Sequence, residues 1–380
     1  MKKINTILVI SLLAIAGCGV DKQSNDDIIL IDVTNSYPEK ELIVQDFMDV
    51  EYIILEATDE FITQGNLKAI GKEIILVINR INDGDIFVFE RKTGKGLRKI
   101  NRKGQGNEEY IGISYIVLDE NNNEMFIINN FVSIVKVYDL YGNFKRSFDI
   151  LGNGDYMNIY NFDKNNLICY YSDHPIESKQ VFHLVISKQD GSITKKIQLP
   201  SKGTPTVIGS NNVANPYIVP IVPYNDSWII SEPLSDTIYQ YFPDGKMNPV
   251  IVKTPSVYST GTEILTGLTL ITNRYYFIQT QRREYDFETG RGFPITDLAY
   301  DKEDKSIFRY TFYNGDFTTK KKLSLLRQNL NKDIAFYYTL DAFQLIEANE
   351  KQELKGQLKE VAEKLDEDDN PVLMLLKYRK

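Results

Sequence analysis

Apolar and polar positions alternate along most of the chain, and they return in one form: an alternating strand, a Gly-centred turn, and a second alternating strand. The phrase occurs at Ile86 to Ile100, Ile134 to Phe148, Leu184 to Leu199, Ile238 to Val252 and Ile307 to Thr318. Its marker glycines, Gly96, Gly142, Gly191, Gly245 and Gly315, stand about 46, 49, 54 and 70 residues apart. That spacing suits a four-stranded propeller blade of about 40 to 50 residues, with insertions late in the chain. Further strand-like runs between Asn, Asp or Gly turns supply the remaining strands: Glu73 to Ile78, Tyr115 to Leu118, Glu124 to Ile128, Trp228 to Ser231 and Tyr275 to Thr280. Five blades trace at roughly 66–100, 112–148, 157–199, 206–252 and 263–318.

A sixth blade has to be assembled from the two ends of the chain. Its candidates are Ile28 to Val33 and Tyr52 to Leu55 from the front, with Ile334 to Thr339 and Val372 to Tyr378 from the back. Pairing first and last segments closes the ring and removes open sheet edges. Between the rear strands, Leu354, Leu358, Val361, Ala362 and Leu365 make one apolar stripe, which predicts an amphipathic helix over about 345–366 packed on the ring. Asn370-Pro371 then ends the helix and turns the chain toward the closing strand. The expected fold class is all-β: a six-bladed β-propeller with one C-terminal amphipathic helix, forming a single domain over 28–380.

Composition narrows the function classes. The 380-residue chain carries a formal charge of −8 with acids and bases interspersed, so a nucleic-acid partner is not expected. Lys2 and Lys3, the apolar stretch Ile7 to Ile15 and the small residues Ala16 and Gly17 have the layout of an export signal, residues 1–17. Ile15-Ala16-Gly17-Cys18 resembles the bacterial lipobox, which makes Cys18 the expected lipidation site and residues 18–27 a polar tether. Acylation of Cys18 would anchor the protein to a lipid bilayer, because each buried CH₂ contributes about 0.8 kcal/mol. Cys169 is then the sole remaining thiol; in the strand-like run Leu167 to Tyr171 it reads as a small buried hydrophobe, and no intrachain disulfide can form.

With Cys18, three further stretches carry a family resemblance: Tyr52-Ile53-Ile54-Leu55-Glu56, Gly104-Gln105-Gly106-Asn107-Glu108-Glu109-Tyr110, and Asp368-Asp369-Asn370-Pro371-Val372-Leu373. In this order and spacing the chain resembles the six-bladed β-propeller lipoproteins of the Bacteroidetes, whose blades are similar to NHL repeats. In that family the glycine motif usually reads GxGPGEY, so Asn107 and Glu108 stand in place of a Pro and a Gly. The resemblance implies the fold and a cell-envelope location, in the outer membrane, far more than any activity.

Candidate chemistry is sparse. The Gly104 to Tyr110 loop could cradle a ligand, but a strand follows it where a phosphate site needs a helix, and tight inter-blade packing of Tyr110 is the simpler reading. Asp119, Asn121 and Asn123 alternate as an EF-hand loop begins, yet Glu124 stands where glycine is needed, so a hairpin turn is expected and no metal. The two histidines are His174, beside Asp173 in a loop, and His183 in a strand; the first is a candidate ligand-binding or basic group, and together they are too few for a His₃ zinc site. Trp228 opens a strand and reads as core. The most unusual stretch is Gln281 to Gly292, where Arg282, Arg283, Glu284 and Arg291 crowd an insertion in the fifth blade and could take a carboxylate or sulfate.

No catalytic motif accompanies these residues, and no cofactor is expected. The leading expectation is a non-catalytic, membrane-anchored propeller that binds a glycan, a peptide or an envelope protein. The rival is an exported lyase or hydrolase on glycans or peptides, using carboxylates and arginines at the ring mouth. A scaffold subunit beside an outer-membrane uptake system is a third. Acids, arginines and a metal converging on the central channel would favour the enzyme.

Overall fold

The computed structural model describes residues 28–129, 133–150, 155–172, 181–201, 205–210, 212–257, 259, 264–325 and 330–379. The export signal, Cys18, the tether and His174 lie outside the described residues. Six sheets form the blades of a β-propeller. Blade 1 comprises Asn66–Ile70, Ile74–Ile78, Asp85–Glu90 and Gly96–Asn101. Blade 2 comprises Tyr115–Asp119, Glu124–Asn129, Ile134–Tyr138 and Phe144–Asp149, and blade 3 Asp155–Asn161, Asn166–Ser172, Val181–Ser187 and Ile193–Ile197. Blade 4 is built on Ile221–Tyr224, Ser227–Ile230, Thr237–Tyr241 and Met247–Thr254, and blade 5 on Ile264–Ile271, Tyr275–Arg282, Ile295–Asp301 and Ser306–Asn314. In each of these blades neighbouring strands are antiparallel and the first strand ends the sheet, and the first strands of blades 1 and 2, 2 and 3, and 4 and 5 lie against each other.

Gly142, Gly191 and Gly245 sit in the turns between third and fourth strands with φ of 88°, 73° and 93°, a left-handed conformation that glycine adopts without penalty. In blade 5 the same turn carries Lys305, at φ 48°. Gly315 instead follows the outermost strand, which explains the overlong last step in the glycine spacing. The phrase at Ile307 to Thr318 is thus an outer strand and the turn into Lys321–Leu323, not a third-to-fourth hairpin.

The N-terminal chain does not enter the closing blade at once. Ile29–Asp32 adds in parallel to the outer edge of blade 4, pairing Ile29 with Ile251 and Asp32 with Thr254. Glu39–Ile43 does the same on blade 5, pairing Glu39 with Arg309 and Ile43 with Tyr313. Ile28 to Val33 therefore covers a neighbouring edge and takes no part in ring closure: an alternating strand satisfies any open edge, and its pattern does not name the partner.

The closing sheet has three strands, ordered Ile334–Leu340, Val372–Lys377, Asp49–Ile53. Asp49–Ile53 is the outermost, since the chain runs from it to the inner strand of blade 1. Ile334–Leu340 runs antiparallel to that inner strand: Asn331 Nδ2 donates to Ile70 O (2.9 Å) at one end and Thr339 Oγ1 to Gly65 O (3.4 Å) at the other. It thus holds the second position of a blade, and among the described residues no strand fills the first.

Closure is fastened by polar clasps, the first of them from the resemblance motifs. Asn370, 3% exposed, donates to Glu56 O (2.8 Å) and Phe61 O (2.6 Å) and accepts from Thr63 N (2.8 Å). Arg91 of blade 1 grips Glu51 bidentately at 2.7 and 2.6 Å. The apolar stripe Leu354, Leu358, Val361, Ala362 and Leu365 is buried as expected, but in place of one helix there are two short ones, Ala342–Glu350 and Gly356–Ala362, and only the second carries stripe residues, Leu358, Val361 and Ala362. Between them Lys355 N donates to Asp316 O and Thr318 N to Glu353 O, both at 2.8 Å, a strand-like pairing that interrupts the predicted single helix. Among the described residues no helix is long and apolar enough to cross a membrane.

Candidate functional site

The charged insertion folds as a ribbon, Tyr285–Asp286 against Arg291–Gly292, between the second and third strands of blade 5. Arg283 donates to the carbonyls of Pro205 (3.2 Å) and Thr206 (2.8 Å), so it fastens the ribbon to a second one, Val207–Ile208 with Val213–Ala214. Arg282, Glu284 and Arg291 remain exposed. Tyr110 lies apart, buried at the boundary of blades 1 and 2, where its hydroxyl donates to Gly84 O (2.6 Å) and accepts from Arg102 N (3.1 Å). The ribbon and Tyr110 do not share a cavity.

The most extensive cavity is elsewhere. It occupies about 810 Å³ at the centre of the ring, along the inner strands of blades 1, 2 and 3 and against the closing sheet. The segment 330–333, which leads into the closing sheet, forms one wall. Asn66 and Lys68 face it from blade 1, Tyr115 from blade 2, Asn161 from blade 3, Tyr217 and Trp228 from blade 4, Lys332 and Tyr337 from the closing side. Tyr217 exchanges hydrogen bonds with the Asn158 amide. Asn161 Nδ2 donates to Leu118 O, while its Oδ1 is buried without a hydrogen-bond partner.

Three carboxylates line this cavity: Asp119 and Glu120 are committed to holding structure, and Asp333 is exposed. Asp119 pairs with Lys188 (2.7 Å) in a buried ion pair. Glu120 accepts from the backbone N–H groups of Lys72 (2.7 Å), Glu73 (3.0 Å) and Ile74 (3.0 Å), pinning blade 2 to blade 1. Behind the inner strand of blade 2, Arg146 grips Glu124 bidentately and holds its pKa down to about 2. Asp119, Asn123 and Glu124 thus shape a hairpin, with Asn123 left-handed at φ 52°. Among the described residues no group of three or more His, Cys, Asp or Glu side chains is placed to hold a metal ion.

The lysines differ. Lys68 Nζ reaches only the Ser114 carbonyl, at 3.5 Å, and Lys332 Nζ lies 5.2 Å from the centroid of the Trp228 ring. Burial lowers the pKa of both, against the field of Asp226 in the case of Lys332. These residues escaped sequence reasoning, although the alternation Asn66-Leu67-Lys68 on an inner strand is the available signal: polar positions there face the channel.

A second polar group is sealed between blades 3 and 4. His183 Nε2 donates to Pro220 O at 3.0 Å, and Nδ1 stands 3.6 Å from Glu232 Oε1. Tyr170 donates to Glu232 Oε2 at 3.0 Å. Burial pushes Glu232 up to about 8 and His183 down to about 4, so both are mainly neutral at pH 7. Cys169, fully buried, has its thiol pKa raised for the same reason.

Ring, blade order and central cavity define a six-bladed β-propeller. Residues 28–377 match the domain of unknown function DUF4934, and the chain belongs to that family. Comparison with curated proteins gives no match. Among solved structures the chain is similar to a Bacteroides fragilis protein described as exported, at 15% identity and a TM-score of 0.57, with 93% of this chain and 100% of that one covered. A Bacteroides vulgatus member of the DUF4221 family is similar at 8% identity and a TM-score of 0.47, covering 88% and 99%. Virginiamycin B lyase from Staphylococcus aureus is similar at 11% and 0.34, covering 70% and 94%.

Proposed function

We propose that this protein is a non-catalytic, lipid-anchored propeller outside the cytoplasm, whose central cavity binds a ligand. The observation that carries the reading is the central cavity against the closing sheet, wide enough for a small molecule and lined by aromatic and polar side chains, with Asp119 and Glu120 already engaged at its edge. Asp119 and Glu120 are spent on holding blades together, which takes them out of the acid and base roles a hydrolase or lyase needs. The lipobox at Cys18 and the exported Bacteroides fragilis relative support the location. The exposed Arg282, Glu284 and Arg291 form a polar rim for a protein or glycan partner on the ring, with Arg283 holding that rim in place. Two experiments test the reading. Cys18→Ser should shift the protein from the membrane to the soluble fraction; unchanged fractionation refutes the anchor. Any ligand that raises the unfolding temperature should be recovered chemically intact after long incubation, whereas turnover would establish the enzyme.

A further inference from the structure

Two half-buried cations line the central cavity without an ion pair. Lys188, Arg146, Arg91 and Arg274 each meet a carboxylate, on Asp119, Glu124, Glu51 and Asp301 respectively. Lys68 and Lys332 are half-buried in the central cavity and form no ion pair. They stand on different walls: Lys68 where blades 1 and 2 meet, Lys332 against blade 4. The Trp228 indole N–H, 1% exposed and lining the same cavity, has no hydrogen-bond partner, and neither has the buried Asn161 Oδ1. Half-buried cations without an ion pair, Lys332 having only the field of Asp226, are costly to maintain beside an unsatisfied donor unless an anion completes them.

We infer that the central cavity takes a small organic anion, its carboxylate or sulfate group held by Lys68 and Lys332 and its body resting on Trp228. The inference rests on the proposed use of this cavity as a ligand site and names the class of ligand. Burial lowers the pKa of both lysines, and a bound anion would raise them again, so binding should take up protons at alkaline pH.

Trp228 is the only tryptophan in the chain, which makes its emission a reporter confined to this cavity. Glucuronate, its neutral counterpart glucose, and inorganic sulfate serve as probes on the full chain. The expected result is a saturable emission change with glucuronate or sulfate that glucose does not produce. It should weaken roughly tenfold in Lys68→Gln and in Lys332→Gln and weaken as salt rises. Unchanged unfolding temperatures of the free variants would show that they fold. Equal responses to glucose and glucuronate, insensitive to both substitutions, would overturn the anion assignment while leaving a ligand-binding cavity. No response to either anion up to about 10 mM, ten times a millimolar Kd, would also overturn it. In that case stabilisation by a neutral glycan or a peptide would still uphold the wider reading, and its absence would remove both.

Discussion

Glu232 and His183 show how far single side chains can depart from their usual chemistry when a ring seals around them. The folded pKa of Glu232 is raised to about 8, so its stabilisation is fully present below the ordinary carboxylate pKa and is lost as pH rises through 8. His183 works in the opposite sense: its pKa is depressed to about 4, and its contribution is lost as pH falls from about 6.5 toward 4. The two oppose each other under acid conditions, leaving Glu232 alone above pH 6.5. Wild-type unfolding temperature should therefore decline between pH 6.5 and 8, and Glu232→Gln should flatten that decline; equal slopes in a calorimetric series would contradict the assignment. Neither partner was legible beforehand, because 49 positions separate His183 from Glu232 in the chain and only blade packing joins them. Lys68 and Lys332 were missed for the same reason.

Elements fared better where the pattern itself carries the physics. Strand alternation and turn glycines located five blades, since each hairpin closes on local residues. Partner choice was less legible: Ile29–Asp32 found the edge of blade 4 because any open edge accepts an alternating strand. The apolar stripe from Leu354 to Leu365 was correctly assigned to the core, yet a backbone pairing with 316–318 divides its helix, and that pairing leaves no trace in periodicity. The Asp368 to Leu373 motif acquires a physical role in Asn370, which ties both chain ends together. Asn370→Ala should destabilise the ring by about 2 to 3 kcal/mol, because it strands one N–H and two carbonyls in the interior. Leu358→Ala, at a fully buried position, should cost about 3 kcal/mol. Denaturant titration measures both. Replacing 285–291 by a short turn, by contrast, should leave the midpoint nearly unchanged, since that ribbon lies on the surface of the ring.

At the scale of the whole molecule, the repeats announced five blades and the chain ends a sixth, whereas the three-stranded make-up of the closing sheet among the described residues could be seen only once strand directions were known. The central space is bounded by blades 1 to 4, the closing sheet and the 330–333 segment, and lysines, a tryptophan and asparagines stand around this one cavity. Asn66 offers a way to fill this space from a regular strand, because its side chain lines the cavity and makes no hydrogen bond there. The most direct measurement is thermal unfolding of residues 28–380 and of Asn66→Phe against glycans, peptides and organic anions. A ligand at about 100 times its Kd should stabilise the wild type by roughly 2.7 kcal/mol and leave Asn66→Phe unaffected. Equal stabilisation of the two proteins would contradict a binding site at the centre of the ring.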